Sequence, residues 1–300
     1  MTTPVDTPPS NHIGAPGLRR RWLLNAGLLV LVAALVLVVI YLPGQKKPGS
    51  GPPLTAVAAD GVSRIRIEKS GQPEIVLEKT GGDWKLAAPV KARANRFNVE
   101  RLLRVLAAPG NTRFPAEPAG LSQFGLNKPA ARVWFDDQEI DFGVMHPLKN
   151  EVYVLYRNEV ALIPGHYLAA STYPYTNFID SGLFDDGLKL TAIKLPDFTL
   201  TQKDGVWRRQ PEDKKLTTDR VNDFAAEWQH ARALTVDKYS GKEAIGAIEI
   251  TATRDAKTEN LKLGILAYKP EFVLHRPDES LEYHFTEETG NRLLTLTGKE

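Results

Sequence analysis

Two stretches of the chain carry the same pattern of apolar and polar positions. From Glu74 to Ala108, an alternating run with Ile75 and Leu77 leads into Gly81-Gly82-Asp83. Trp84 then opens another extended run, and a segment with helically spaced apolar residues follows. From Phe198 to Ala233 the order recurs: FTLTQKD, a glycine turn, Trp207, then a second helical pattern. Trp84 aligns with Trp207. Val99, Leu102, Leu103 and Leu106 align with Val221, Phe224, Ala225 and Trp228, one residue out of step with the tryptophans. Period-two runs predict strands with one buried face, and the 3.6-residue spacing predicts a helix packed on them.

The same patterning extends to either side. VSRIRIEK predicts a strand through Ile65 and Ile67, and SGQP a hairpin connection to the next. Asn95 is placed to cap the first helix and Pro109-Gly110 to end it. Leu121, Phe124 and Leu126 read as an anchored loop. Strands are expected near Val133–Phe135, Glu139–Val144, Val152–Tyr156 and Val160–Ile163. After an aromatic connector from His166 to Phe178, LKLTAIKLPD, FTLTQKD and VWRRQ repeat the opening strands. Thr217 or Thr218 caps the second helix, and AIEITATR, NLKLGIL, EFVLHRP and LEYHFTE are four further strand candidates.

The N-terminal segment has a different character. Residues 1–18 are rich in Pro, Thr, Ser and Gly without apolar period; Arg19-Arg20-Arg21 follow, and Trp22 to Leu42 is apolar apart from Asn25. Some twenty helical residues span about 30 Å, the thickness of a hydrocarbon core. The run is longer than the core of a signal peptide and ends in Tyr41-Leu42-Pro43, without an adjacent cleavage site. It reads as an uncleaved anchor with its N-terminus in the cytoplasm, set by the arginines. That places the remainder outside a bacterial inner membrane, in the periplasm, with the lipid bilayer a partner through residues 22–42. Gly44 to Pro53 is linker by composition.

The expected fold is thus α+β: one N-terminal transmembrane helix followed by two similar units, each an antiparallel sheet plus one packed helix. The expected divisions are 1–21 (cytoplasmic disordered tail), 22–42 (membrane helix), 43–58 (linker), 59–186 and 187–300 (the two repeats).

Composition narrows the function classes. The absence of cysteine excludes disulfides, thiolate metal sites and a cysteine nucleophile. The net charge of +2 divides into +4 for residues 1–50 (five Lys/Arg, one Asp) and −2 beyond them (33 against 35). The large domain therefore lacks the basic footprint of a nucleic-acid binder.

GGDWKLAAP, the helix around Asn98 to Leu106, FGLNKPAARVWF with QEIDFG behind it, EVYVLYR and ALIP together give the chain a family look. It resembles a bacterial family known as domain of unknown function 4340, well over residues 60–190 and weakly over the second unit. The resemblance implies a single N-terminal span and a location near genes for gliding-motility-type ABC transport. It supplies no catalytic residues. Asn95 departs from the acidic residue that often opens this helix in the family, and still serves as a cap.

No nucleotide-binding, zinc-protease or serine-hydrolase motif is present, and no cofactor or metal is implied. Trp84 and Trp207 read as core residues under the helices. His275 and His284 are the only histidines placed to meet, across the last hairpin, with no third ligand in view. Asp136–Asp137, Asp185–Asp186 and Glu287–Glu288 read as solvated turns or strand ends, and adjacent strand residues face opposite ways. The one segment with the composition of a binding surface is the connector, through Tyr167, Tyr173, Tyr175 and Phe178; packing between the repeats is the alternative. The expected function is a membrane-anchored extracytoplasmic accessory or scaffold protein, associated with other envelope or ABC-type transporter proteins. The alternative is an envelope hydrolase acting on glycan or lipid substrates.

Overall fold

The computed structural model describes residues 17–41, 51–110 and 112–297, in two units, 1–50 and 51–300. Residues 1–16 of the expected tail, Leu42 at the end of the expected membrane helix and 43–50 of the expected linker lie outside the described residues. In the first unit, α1 runs Gly17–Tyr41. Its side chains are described between Trp22 and Leu37, about 24 Å of helix. Among the described residues no helix is long and apolar enough to cross a membrane.

The second unit opens with β1 (Arg64–Glu68), β2 (Ile75–Thr80), β3 (Asp83–Ala88) and the two-residue β4 (Ala92–Arg93). Next come α2 (Arg96–Leu103), extended by a tighter turn through Ala107, and β5 (Thr112–Pro115). Strands β6 (Ala131–Phe135), β7 (Gln138–Met145), β8 (Glu151–Tyr156) and β9 (Glu159–Pro164) form a meander. After α3 (His166–Thr172) come β10 (Lys189–Lys194), β11 (Thr199–Lys203), β12 (Val206–Gln210) and α4 (Thr218–Gln229). The chain closes with β13 (Thr235–Lys238), β14 (Gly246–Arg254), β15 (Lys257–Ala267), β16 (Glu271–Arg276), β17 (Leu281–Thr286) and α5 (Glu287–Leu294).

These strands make two antiparallel sheets, ordered β4-β3-β2-β1-β6-β7-β8-β9-β5 and β12-β11-β10-β14-β15-β16-β17-β13. Without β4 the orders correspond strand for strand. The turns correspond too: Gly81-Gly82 and Asp204-Gly205 all have positive φ, the conformation a two-residue hairpin needs. Each tryptophan is the second residue after its turn, Trp84 opposite Lys79 and Trp207 opposite Gln202. The step between the tryptophan and helix alignments has a structural cause. The segment carrying β4 places Asn95 eleven residues after Trp84, whereas Thr217 lies ten after Trp207.

Helix α2 is capped by Asn95, whose side chain accepts from the Asn98 N–H at 3.2 Å, and α4 by Thr217 in the same way from Arg220. Their apolar faces are buried: Val99, Leu102, Leu103 and Leu106 on one, Val221, Phe224, Ala225 and Trp228 on the other. Trp228 is fully buried and donates from Nε1 to the Leu293 carbonyl at 2.8 Å, tying α4 to α5. Gly290 lets α5 pack closely on β16, since a Cβ there would lie 2.3 Å from Phe272 Cβ. Trp84 and Trp207, expected as core residues, are only half-buried at the core's margin, because they sit on the outermost long strand of each sheet. Buried residues of both sheets form one continuous cluster, so residues 51–297 share a core. Ordered packing begins inside the expected linker, with Leu54 and Thr55 already buried.

Candidate functional site

The aromatic connector is helical and half-covered. Tyr167 lies on α3, Tyr173 ends it, and Tyr175 and Phe178 belong to a short 3-10 turn. Phe178 is fully buried, and the three tyrosines pack against the shared core. Lys69 reaches under the connector, its Nζ donating to the carbonyls of Thr172 and Tyr173; burial lowers its pKa. The Tyr175 hydroxyl donates to Asp237 on β13 at 3.4 Å. The four residues do not assemble into one open aromatic patch.

Beyond Phe178 the backbone pairs on both sides. Ala94 bridges Ile179 and Gly182 bridges Arg232, while Asn95 N–H donates to the Phe178 carbonyl at 2.8 Å. This brings Arg93, Asp180, Arg276, Glu279 and Tyr283 together, a cluster that sequence reading missed because its members are up to 190 residues apart. Arg93 binds Asp180 at 3.2 Å, Glu279 at 3.3 Å and the Gly182 carbonyl at 2.5 Å. Arg276 binds Glu279 at 3.2 Å, Asp278 at 2.5 Å and the Leu183 carbonyl at 2.5 Å. Tyr283 donates its hydroxyl to Glu279. Burial pushes the Tyr283 pKa well above its ordinary value, and the negative charge of Glu279 adds to this, so the phenol stays a neutral donor.

Outside the cluster lies a cleft of about 670 Å³, lined by Lys85, Leu86, Val90 and Lys91 from the first half and by Lys238 and Asp278 from the second. Glu279 has two arginines on one oxygen and a phenol on the other, so its carboxylate serves the junction rather than the cleft.

His275 and His284, the pair that the last hairpin could bring together, each have other partners. His275 stacks on Tyr239, with centroids 3.6 Å apart, and burial lowers its pKa against the opposing pull of Glu282 and Asp278. His284 lies between Glu271, 3.0 Å from Nδ1, and Glu282, 3.5 Å from Nε2; Ser240 donates to Glu282 from its N–H and its hydroxyl. Among the described residues no group of three or more His, Asp or Glu is arranged to hold a metal. Asp136 and Asp137 form a turn, where Asp136 accepts from the Ser63 and Arg64 N–H groups. Asp185 is held by Arg254 at 2.6 Å. Glu287 and Glu288 occupy the first turn of α5, a helix the sequence reading missed; they suit its N-terminal dipole.

The outer face of the first sheet is charged. Arg66 stacks on Trp134 at 3.5 Å, and Arg132 binds Asp141 at 2.6 Å and Glu139 at 3.0 Å.

An α+β body of two like-ordered antiparallel sheets, joined by a partly buried ion-pair cluster, is the class these features define. The chain belongs to the family described as Domain of unknown function (DUF4340), which matches residues 84–263. The match runs from β3 into β15, so it crosses the junction and includes much of the second half, where the sequence resemblance was weak. No curated protein and no solved structure matches the chain significantly.

Proposed function

We propose that this protein is a membrane-anchored extracytoplasmic accessory or scaffold protein that acts beside an ABC-type transport system. The observation that carries the reading is α1, where Leu28 to Val32 and Leu35 to Leu37 are all exposed, so apolar side chains point outward around the whole helix. A helix apolar on every side requires an apolar environment, and a bilayer supplies one. Arg19, Arg20 and Arg21 lie in its first turns, N-terminal to the apolar run, and the side with more Lys and Arg stays cytoplasmic. The scaffold part is supported by the junction, where the partly buried charged groups bind one another and backbone carbonyls and so hold both sheets as one body.

Alkaline phosphatase fused after Glu300 tests the topology, because it is active only after export. An active fusion is expected; a stable but inactive one rejects the anchor orientation. Cross-linking in the native membrane tests the partner, and recovery of no transporter subunit removes that association. Alanine at His166, His275, His284 or the Asp and Glu pairs is expected to complement a deletion. Loss of function in one of these variants, with fold and partners intact, favours the hydrolase.

A further inference from the structure

We infer that the tip of the β7–β8 hairpin, residues 144–149, inserts Leu148 into a phospholipid interface; this rests on the membrane-anchored reading. Leu148 is 91% exposed, and Val144 and Met145 beside it are 49% and 39% exposed. Single exposed apolar residues are ordinary, but this turn carries three within five positions. The tip also has a fixed shape. His146 Nδ1 accepts the N–H groups of Leu148 and Lys149, both at 3.1 Å, and its own N–H donates to the Glu151 carbonyl at 2.8 Å. Gly165 N–H donates to the Asn150 carbonyl at 2.9 Å. Leu148 is therefore presented by a built turn.

The position of the tip identifies what meets it. Met145 pairs with Val152, Val152 with Ile163, and Thr112 with Leu162, so the tip and the start of β5 lie at the same end of the first sheet. The chain also joins the domain at that end. Gly110 N–H donates to the Pro52 carbonyl at 2.9 Å, and Arg113 Nη2 to the Pro53 carbonyl at 2.6 Å. Three strand spacings, about 14 Å, separate β7 from β5. Residues 42–50 allow at most about 35 Å between α1 and the domain. The short tether keeps this end of the sheet close to the bilayer at high effective concentration. Lys149, 3.9 Å from Glu151, adds a cation at headgroup depth.

Phe114, Phe124 and Tyr153 stack behind the tip with centroids 5.3 and 4.6 Å apart, and partly exposed aromatics favour this interface. The corresponding hairpin of the second sheet is not free in this way. There Lys269 is bound to Glu287 of α5 at 2.7 Å.

The chain has no cysteine, so single-cysteine variants can each carry one environment-sensitive fluorophore. Full-length Leu148→Cys, Asp137→Cys and Ala33→Cys would be reconstituted in anionic phospholipid vesicles with and without brominated acyl chains. Asp137 occupies the opposite end of β7. The expected result is a blue shift and quenching by brominated chains at 148 and 33, with neither at 137. Quenching at 33 with an unshifted, unquenched label at 148 overturns the inference and leaves the anchor standing. A blue shift at 148 without lipid quenching means protein covers the tip, which also overturns it. No quenching at either 33 or 148 removes the anchor reading and this inference together.

Discussion

The first sheet has nine strands and the second eight, and the extra strand is β4, two residues that pair with Lys85 and Leu86 at one edge. In the second half the chain after β12 does not pair; the Asn222 side chain of α4 instead accepts the Trp207 N–H at 3.4 Å. The same pattern of apolar residues thus yields two solutions for one exposed edge, a short strand in one half and a helix side chain in the other. The difference places Arg93 on β4, next to the extended segment that joins the halves, where it binds Asp180 and Glu279. The small departure from repetition is what builds the junction.

The helices differ as well. Helix α2 has eight residues and fills its last core position with Leu106, just beyond its end; α4 has twelve and fills it with Trp228. The second half thus depends on one large side chain. Trp228→Ala is expected to cost about 3–5 kcal/mol, more than any other substitution in either helix. Trp84→Ala and Trp207→Ala, both half-buried, should cost roughly half of that and nearly the same as each other. Urea denaturation of the three variants checks this, and equal losses in all three would contradict the asymmetry.

The junction gives the next effect. Removing one partner of a buried ion pair costs about 3–5 kcal/mol, and the residual exposure of Glu279 and Arg93 reduces this to roughly 2–3 kcal/mol for Glu279→Ala. The variant should also separate the halves. Fluorescence from tryptophans in each half, one probe per variant, should give coincident unfolding curves in the parent and displaced curves in the variant. Coincident curves in the Glu279→Ala background would show that the shared core alone couples the sheets.

Much of the architecture was readable from local chemistry. Positive φ at Gly81-Gly82 and Asp204-Gly205, caps at Asn95 and Thr217, and alternation in β1, β6 and β8 are decided by residues close in sequence. Strands β4, β5 and β13, of two to four residues, escaped because too few positions alternate and their pairing is set by distant partners. Helix α5 was hidden by Thr289 and Gly290, poor helix formers that its packing against Phe272 requires. The junction was invisible because Arg93 and Glu279 are 186 positions apart. The connector aromatics were noticed for their composition, but their burial depends on strands from both halves.

Equivalent caps allow a finer test of the repeat. Asn95 and Thr217 each accept a single N–H three residues on, at 3.2 and 3.3 Å. Alanine at either should cost about 1 kcal/mol. Asn95 should be the larger loss, because asparagine is the better cap of the two and its side chain is what alanine removes. The two melting temperatures decide the order.

The smallest expected effect depends on pH and belongs to the second half alone. His275 stacks on Tyr239, and burial depresses its pKa below the ordinary 6.5, despite Glu282 and Asp278, which act to raise it. A histidine with a lowered folded pKa binds fewer protons folded than unfolded in the interval below 6.5. Its contribution to stability is therefore complete above that value and declines as pH falls toward the folded pKa. Carboxylates held by arginine act in the same direction at lower pH: burial raises the Asp185 pKa, but the hydrogen bond and charge of Arg254, with Arg93 and the Gly187 N–H, together outweigh it and leave the carboxyl depressed. The two contributions separate by window, the histidine's lost as pH falls below its ordinary 6.5 and the aspartate's below its ordinary 3.8. His275→Gln should flatten the stability profile between pH 7.5 and 5 and leave the acid limb unchanged. Asp185→Asn should do the reverse. A His275→Gln profile parallel to the parent from pH 7.5 to 5 would show that the stacked ring does not titrate differently on unfolding.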